Sequence, residues 1–265
     1  MKYVCVSDRE KTPGVRIYGV LDEERRVVRT LKNTPFAVDD ANVYKYDELL
    51  LDEVEILAPI IPSKIVAVGK NYHAHAMEMN EGEPEEPLLF LKPNTCITRH
   101  MGDVVYPSIS HRLDYEGELG VVIGKTCRYA TEEDAYSYVF GYTCLNDITA
   151  RDIQKGDPQW TRGKSFDTFC PIGPWIVSDI KDPQNLHITT RLNGKTVQDS
   201  NTSCMTHSIP KLIAYISRCM TLLPGDIIAT GTPEGIGSMQ VGDTVEVELE
   251  QIGILSNRIV EEKIK

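Results

Sequence analysis

The sequence predicts a mixed, β-rich α+β fold. Three observations carry this expectation over the 265 residues. Runs of alternating β-branched and aromatic residues recur along the chain, Pro-Gly and Gly-Asp turn signals separate them, and few stretches carry apolar residues at helical spacing. With 41% hydrophobic and 25% charged residues, the chain can build one large core, or one core with a small appendage.

The elements follow in order. The stretches KYVCVS, VRIYGVLD and RRVVRTL read as strands, with turns at Pro13-Gly14 and Asp22-Glu23-Glu24. YDELLLDEVEIL has the pattern of a short helix. In APIIPSKIVAVGKNY, Pro59 and Pro62 precede a strand-like apolar run, which marks a boundary between a small N-terminal domain (1–60) and the main domain (61–265). GKNYHAHAMEMNEGEPEEP leaves that strand and ends in an acidic, proline-bearing stretch expected to be mobile. GELGVVIGK is a strand, apolar throughout its second half. TEEDAYSYV, with Thr131 as cap and an acidic first turn, reads as a helix. TARDIQKGDPQWTRGKSFDTFCPIGPW reads as one polar and aromatic connection. HSIPKLIAYISRCM is an amphipathic helix with Ser208 as cap, Pro210 in the first turn and an apolar stripe of Leu212, Ile213, Ile216, Cys219 and Met220. DIIATG, DTVEVELE and IGILSNRIV form a strand meander with Gly-Asp turns at 225–226 and 242–243.

The net charge of −11 repels phosphate backbones and anionic lipid surfaces, so nucleic acid and membrane are not expected partners. An anionic substrate would need a strong local source of positive charge. MKYVCVSDREK meets charge before any apolar stretch of leader length, and no run approaches the ~18 apolar residues of a membrane span. A cytoplasmic location is therefore expected. The seven cysteines (Cys5, Cys96, Cys127, Cys144, Cys170, Cys204, Cys219) are scattered without a C-x-x-C pair and read as reduced core thiols.

Three groups of residues can carry chemistry. Glu116 and Glu118 stand two apart in LDYEGELGVVIG, so on a strand both carboxylates leave the same face. Asp147 ends a second strand-like run. Three carboxylates suit Mg²⁺ or Mn²⁺; the alternative is a solvated strand face. The apolar runs abutting each acid favour a site near the core, where clustered carboxylates need a cation to stay ionised. His75 and Glu78 stand three apart, as a general base with an orienting carboxylate would on a helical turn, or as a surface histidine beside an acidic loop. His73 and His75 as a metal pair on a strand is a weaker reading. Arg151 and Lys164 are candidate cations for an anionic substrate, and Gln154 could orient water, unless the connection is simply solvated. Cys170 reads as a packed thiol. IIATGTPEGIG is a glycine-rich turn without the ending of a phosphate-binding loop; its backbone N–H groups could meet a carboxylate.

Taken together, VGKNYHAHAMEM, LFLKP, LDYEGELGVVIGK, NDITARDIQ, WTRGKSFDTFCPIGPW, GDIIATGTPEGIG and VEVELEQIGILSN, in order from about residue 64 onward, resemble the fumarylacetoacetate hydrolase family. The likeness runs to its bacterial branch labelled 2-hydroxyhepta-2,4-diene-1,7-dioate isomerase and to its acylpyruvate hydrolases. It implies a mixed β-roll or sandwich for the main domain and a homodimer. It also implies metal ligation by Glu116, Glu118 and Asp147, catalysis by His75 and Glu78 on a lid, substrate contact by Gln154 and Lys164, and a glycine-rich loop carrying Thr232 against the substrate carboxylate. Gly163 stands where alanine is common, and KPNTC replaces the usual serine pair. The foremost expectation is a metal-dependent hydrolase that cleaves a C–C bond of small acylpyruvate-type 2-oxo acids through a stabilised enolate. The alternatives are an isomerase or decarboxylase of an oxo or dienoic diacid, and a non-catalytic metal or metabolite binder.

Overall fold

The computed structural model describes residues 1–11, 13–37, 47–79, 82 and 84–263. The expected β-rich α+β class holds: three sheets and a few helices make up the described residues. The largest sheet runs from Glu48–Leu50 through Val27–Thr30, Ile17–Asp22 and Lys2–Asp8 to Cys170–Val177. It continues through Val139–Asn146, Gly117–Ile123, Ile227–Ala229 and Ile65–Gly69 to Leu88–Lys92. A second sheet orders Lys195–Asn201, His187–Leu192, Thr244–Leu249, Gly253–Glu261 and Asp103–Tyr106; a third orders Thr149–Ala150, Leu113–Tyr115 and Gly237–Met239.

The strand Gly117–Ile123 is buried along its whole length, which is why its sequence reads as a continuous apolar run rather than an alternation. Its side chains still divide with period two. Leu119, Val121 and Ile123 enter one core with Ile209, Leu212, Ile213 and Ile216 of the helix Ile209–Cys219. Val122 enters the opposite core with Leu145 and Ile172. Each such aliphatic residue contributes roughly 1.5–3 kcal/mol by leaving water. Ser208 accepts the Lys211 N–H at the helix start and Pro210 lies in the first turn, as read from the sequence. The turns at Gly225 (φ +90°) and Gly242 (φ +99°) use the left-handed region that glycine enters at least cost.

The strands of the first 60 residues extend the largest sheet, pairing Lys2 with Val177 and Tyr3 with Ile176. They also pack a small core of their own from Val4, Val6, Leu21, Val28 and Val54.

Several local expectations are corrected. The helix expected in YDELLLDEVEIL is a strand (Glu48–Leu50), a 3₁₀ turn (Leu51–Glu53) and a strand (Val54–Leu57), with Tyr46 outside the described residues. Pairing with Val27–Thr30 and Lys2–Asp8 overrides the local pattern. TEEDAYSYV yields a 3₁₀ helix over Ala135–Tyr138 only. Thr131 and Asp134 do cap a turn reciprocally, but Val139 already enters the next strand. The long polar connection contains two short helices, Arg151–Gly156 and Thr161–Lys164. Cys219 and Cys204 are exposed, leaving five of the seven thiols buried. His73 and His75 lie on a helix, with His73 exposed and His75 buried, so they do not form a metal pair. Of the acidic stretch expected to be mobile, Asn80, Glu81 and Glu83 lie outside the described residues. Among the described residues no helix is long and apolar enough to cross a membrane.

Candidate active site

The site is built on one antiparallel ladder. Glu118 pairs with Leu145 and Gly117 with Asn146, and one step further the Asp147 N–H donates to the Glu116 carbonyl at 2.8 Å. That register sets Asp147 across from Glu116, while the two-residue strand period returns Glu118 to the same face. One carboxylate oxygen from each of Glu116, Glu118 and Asp147 lies within 4.8 Å of the others, and all three residues are buried.

The three carboxylates are not equivalent. Both oxygens of Glu116 meet cations: Lys164 Nζ donates to Oε2 at 2.7 Å, and Arg151 to Oε1. Both oxygens of Asp147 do as well, from Lys92 Nζ at 2.6 Å and Lys164 Nζ at 2.6 Å. Burial disfavours the ionised form of Glu116, yet Lys164 and Arg151 outweigh it and hold its carboxyl well below the usual range. Glu118 accepts only the Gly231 N–H, at 2.8 Å, and among the described residues no side-chain cation is placed on it. Burial, and then the neighbouring Asp147 and Glu116, raise its carboxyl well above the usual range.

Charge is therefore unevenly placed. Four buried carboxylates (Asp114, Glu116, Glu118, Asp147) face three buried cations, Lys92, Arg151 and Lys164, and the half-exposed Arg112, which binds Asp114. These cations contact Asp114, Glu116 and Asp147 and leave Glu118 without one. An all-oxygen donor set with one carboxylate lacking a cation fits a hard divalent cation held by Glu116, Glu118 and Asp147.

The other expected residues except Glu78 line the same cavity. His75, Arg151, Gln154, Lys164 and Thr232 face it together with the acidic trio, in a volume of about 250 Å³. That is the share of roughly eight water molecules, a space for a small metabolite. His75 sits on the helix His73–Glu78, and its Nδ1 lies 3.3 Å from Glu78 Oε2. Glu78 also accepts the Gly235 N–H at 3.2 Å, tying the helix to the glycine-rich loop. At the helix base the buried Asn71 side chain donates to the Thr230 and His207 carbonyls and accepts the His207 N–H. Arg151 is held three ways, by Asp114 (2.8 Å), Gln154 Oε1 (2.7 Å) and Glu116. Thr232 Oγ1 accepts from Gln198 Nε2 at 2.8 Å. The glycine-rich loop does bring an N–H to a carboxylate, but that of Gly231 meets the protein's own Glu118. Gly231 has φ +96°, and a Cβ there would lie 2.8 Å from Asn71 Cβ.

Two participants were not singled out from the sequence. Lys92, 1% exposed, bridges Asp147 and the Lys164 carbonyl. Its signal is its phase: it follows Phe90 by two in an apolar strand, on the face that lines the cavity. Asp114 precedes Glu116 by two, so the D-x-E-x-E spacing already marked a third acid on that face. Cys170 is fully buried, as a packed thiol.

Known proteins resemble this arrangement over most of the chain. The sequence profile described as fumarylacetoacetate (FAA) hydrolase C-terminal matches residues 64–260. Oxaloacetate tautomerase YisK of Bacillus subtilis is 44% identical over 268 residues, covering 94% of this chain and 88% of that protein. The crystal structure of 5-carboxymethyl-2-hydroxymuconate delta-isomerase from Mycobacterium smegmatis superposes with a TM-score of 0.89 at 39% identity, over 99% of this chain and 100% of the other. Fumarylacetoacetate hydrolase from Exiguobacterium antarcticum gives a TM-score of 0.83 at 35% identity, with the same coverage. The motifs, the sheet topology and these matches agree, and the chain belongs to the fumarylacetoacetate hydrolase family.

Proposed function

We propose that this protein is a divalent-cation-dependent isomerase that moves a proton between the keto and enol forms of a small 2-oxo diacid. C–C hydrolysis, foremost in the sequence reading, is the less supported branch. An oxaloacetate tautomerase and a hydroxymuconate isomerase are among the relatives that match nearly the whole chain, and the site offers a reason of its own.

That reason is Gln154. Guanidinium groups only donate, so the Arg151 contact at 2.7 Å fixes which end of the Gln154 amide is the oxygen and takes one of its two lone pairs. The amide NH₂ is left to donate to a substrate oxygen. Gln154 thereby offers a donor for substrate binding.

The remaining roles follow from the geometry. Glu116, Glu118 and Asp147 would hold the cation, Mg²⁺ or Mn²⁺; when bound, it polarises the 2-oxo oxygen and templates the acid. With Nδ1 engaged to Glu78, Nε2 of His75 takes the proton from the carbon beside the 2-oxo group and returns it at the far end of the shift. Lys164, fixed between Glu116 and Asp147, donates toward the oxygen on which charge develops. Arg151 and Thr232 orient the substrate carboxylate. Proton transfer alone needs no further group.

The test sets oxaloacetate enol–keto conversion, followed by enol absorbance, beside oxaloacetate decarboxylation and acylpyruvate cleavage, all with Mg²⁺. Acceleration of the tautomerisation above both breakdown reactions is expected. Acylpyruvate cleavage with no effect on the enol–keto rate would overturn the reading in favour of hydrolysis.

A further inference from the structure

The strand Lys195–Asn201 lies at one edge of the second sheet, and its single buried residue is Gln198, 1% exposed. A half-exposed strand ordinarily buries apolar side chains and leaves polar ones to water. An amide is costly to bury unless its hydrogen bonds are made, so its partners show what the burial gains.

Those partners belong to two different parts of the site. Gln198 Oε1 accepts the Gly117 N–H at 3.0 Å, on the backbone between Glu116 and Glu118. Gln198 Nε2 donates to Thr232 Oγ1 at 2.8 Å and to the Pro233 carbonyl at 2.9 Å. One side chain thus joins the strand that carries Glu118 to the loop that carries Thr232. The joint is tightly packed. A Cβ on Gly117 would run into the Thr190 hydroxyl and lie 3.2 Å from Gln198 Oε1. A Cβ on Gly235, whose N–H holds Glu78, would run into the Val197 carbonyl and lie 3.5 Å from Gln198 Cγ.

The same partners fix the direction of the amide. A backbone N–H only donates and a carbonyl only accepts, so Gly117 faces the amide oxygen and Pro233 the NH₂. Thr232 Oγ1 faces that NH₂ as well and is therefore an acceptor toward Gln198. Its own proton is left to donate elsewhere, and among the described residues no acceptor is placed on it. Thr232 lines the cavity, whereas Gln198 is not part of its lining.

We propose that Gln198 is a positioning residue that makes the Thr232 hydroxyl a fixed donor toward the carboxylate of the bound acid. This deepens the reading of Thr232 given above and rests on it. A freely turning hydroxyl presents a lone pair as readily as a proton, and a lone pair repels a carboxylate. Holding one orientation in advance removes that loss.

The experiment is a double-mutant cycle on the Mg²⁺-loaded full-length protein, with oxalate as the probe and its Kd read by calorimetry. Gln198→Met should weaken oxalate binding about tenfold, the low end for a hydrogen bond to a charged group. Mg²⁺ affinity without oxalate should stay within a few-fold. In a Thr232→Val background the same substitution should leave the oxalate Kd nearly unchanged, because no hydroxyl remains to be aimed. A residue that only supports the fold would weaken binding equally in both backgrounds, and that result would overturn the proposal. So would an unchanged Kd in Gln198→Met, or a wild type that does not bind oxalate. Where Gln198→Met does not fold, Gln198→Glu takes its place at about pH 8.5, to favour the ionised form, with the same outcomes. It keeps an acceptor for the Gly117 N–H, and comparing the two backgrounds cancels its added charge. Oxaloacetate turnover is followed in parallel. A wild type that shows this coupling yet does not speed enol–keto conversion refutes the tautomerase reading and leaves the positioning of Thr232 standing.

Discussion

Glu116 and Glu118 are two residues apart and belong to one proposed ligand set, yet their isosteric amides should shift stability in opposite directions when no metal is present. Their ligand oxygens lie within 4.8 Å of each other, so at an effective dielectric constant near 20 two like charges there repel by about 3.5 kcal/mol or more. Protonating an ordinary glutamate (pKa about 4.3) at pH 7 costs about 1.36 × 2.7, or about 3.7 kcal/mol. Protonation therefore caps the metal-free penalty on Glu118 at about 3.7 kcal/mol. Glu118→Gln removes it while keeping an oxygen for the Gly231 N–H, and should stabilise the chelated protein by up to that amount. Glu116→Gln strips an anionic partner from Lys164 and Arg151 inside the core, a loss of about 3–5 kcal/mol for a broken buried pair. The low end applies, because Asp147 and Asp114 still hold those cations.

At about 2 °C per kcal/mol for a chain of this size, melting in EDTA should move up by several degrees for Glu118→Gln and down by several for Glu116→Gln. Both variants should lose the rise in Tm that Mg²⁺ gives the wild type, about 2.7 kcal/mol at a hundred times Kd. The pH dependence carries the same sign. Glu118 has a raised carboxyl in the folded state, so folded protein binds a proton that unfolded protein lacks between about 4.3 and the raised value. Metal-free stability should fall as pH rises through that window. Glu116, lowered in the folded state, contributes stability that is present above its unfolded pKa and lost as pH falls toward the folded one. If Glu118→Gln lowers Tm in EDTA as much as Glu116→Gln does, Glu118 is already compensated and the charge argument for a metal collapses.

Two further outcomes follow. His75→Ala should reduce turnover by roughly 10²–10⁴ while Mg²⁺ affinity, measured by calorimetry, stays within a few-fold; a matching loss of metal affinity would mean that His75 supports the cation rather than moving a proton. Lys92→Met should lower unfolding free energy in urea by roughly 3 kcal/mol, since it leaves one Asp147 oxygen buried without its cation. A change below 1 kcal/mol would show that Lys164 alone suffices for Asp147.

Much of this site was legible in the chain because its signals are local. Strand period set Glu116 and Glu118 on one face, helical spacing set His75 beside Glu78, and Ser208 and Pro210 marked the start of the longest helix. The clustering of Glu116 with Glu118 and the contact of His75 with Glu78 were thus readable before any fold. Other features came only with the tertiary structure. Asp147 meets Glu116 through a strand register, and register depends on pairing partners 30 residues apart in sequence. The same long-range pairing turned the expected helix at 47–57 into strands. Charge balance is equally non-local. Lys92 and Asp114 act only because the fold buries them against Asp147 and Arg151, and Glu118 goes without a cation because neither lysine contacts it. The orientation of the Gln154 amide is set by Arg151, three residues away but turned inward by a buried carboxylate from another strand. Residue types and spacings determined which groups this chain can bring to a site. Burial and register, which depend on distant segments, decided which of those groups meet a cation and which do not.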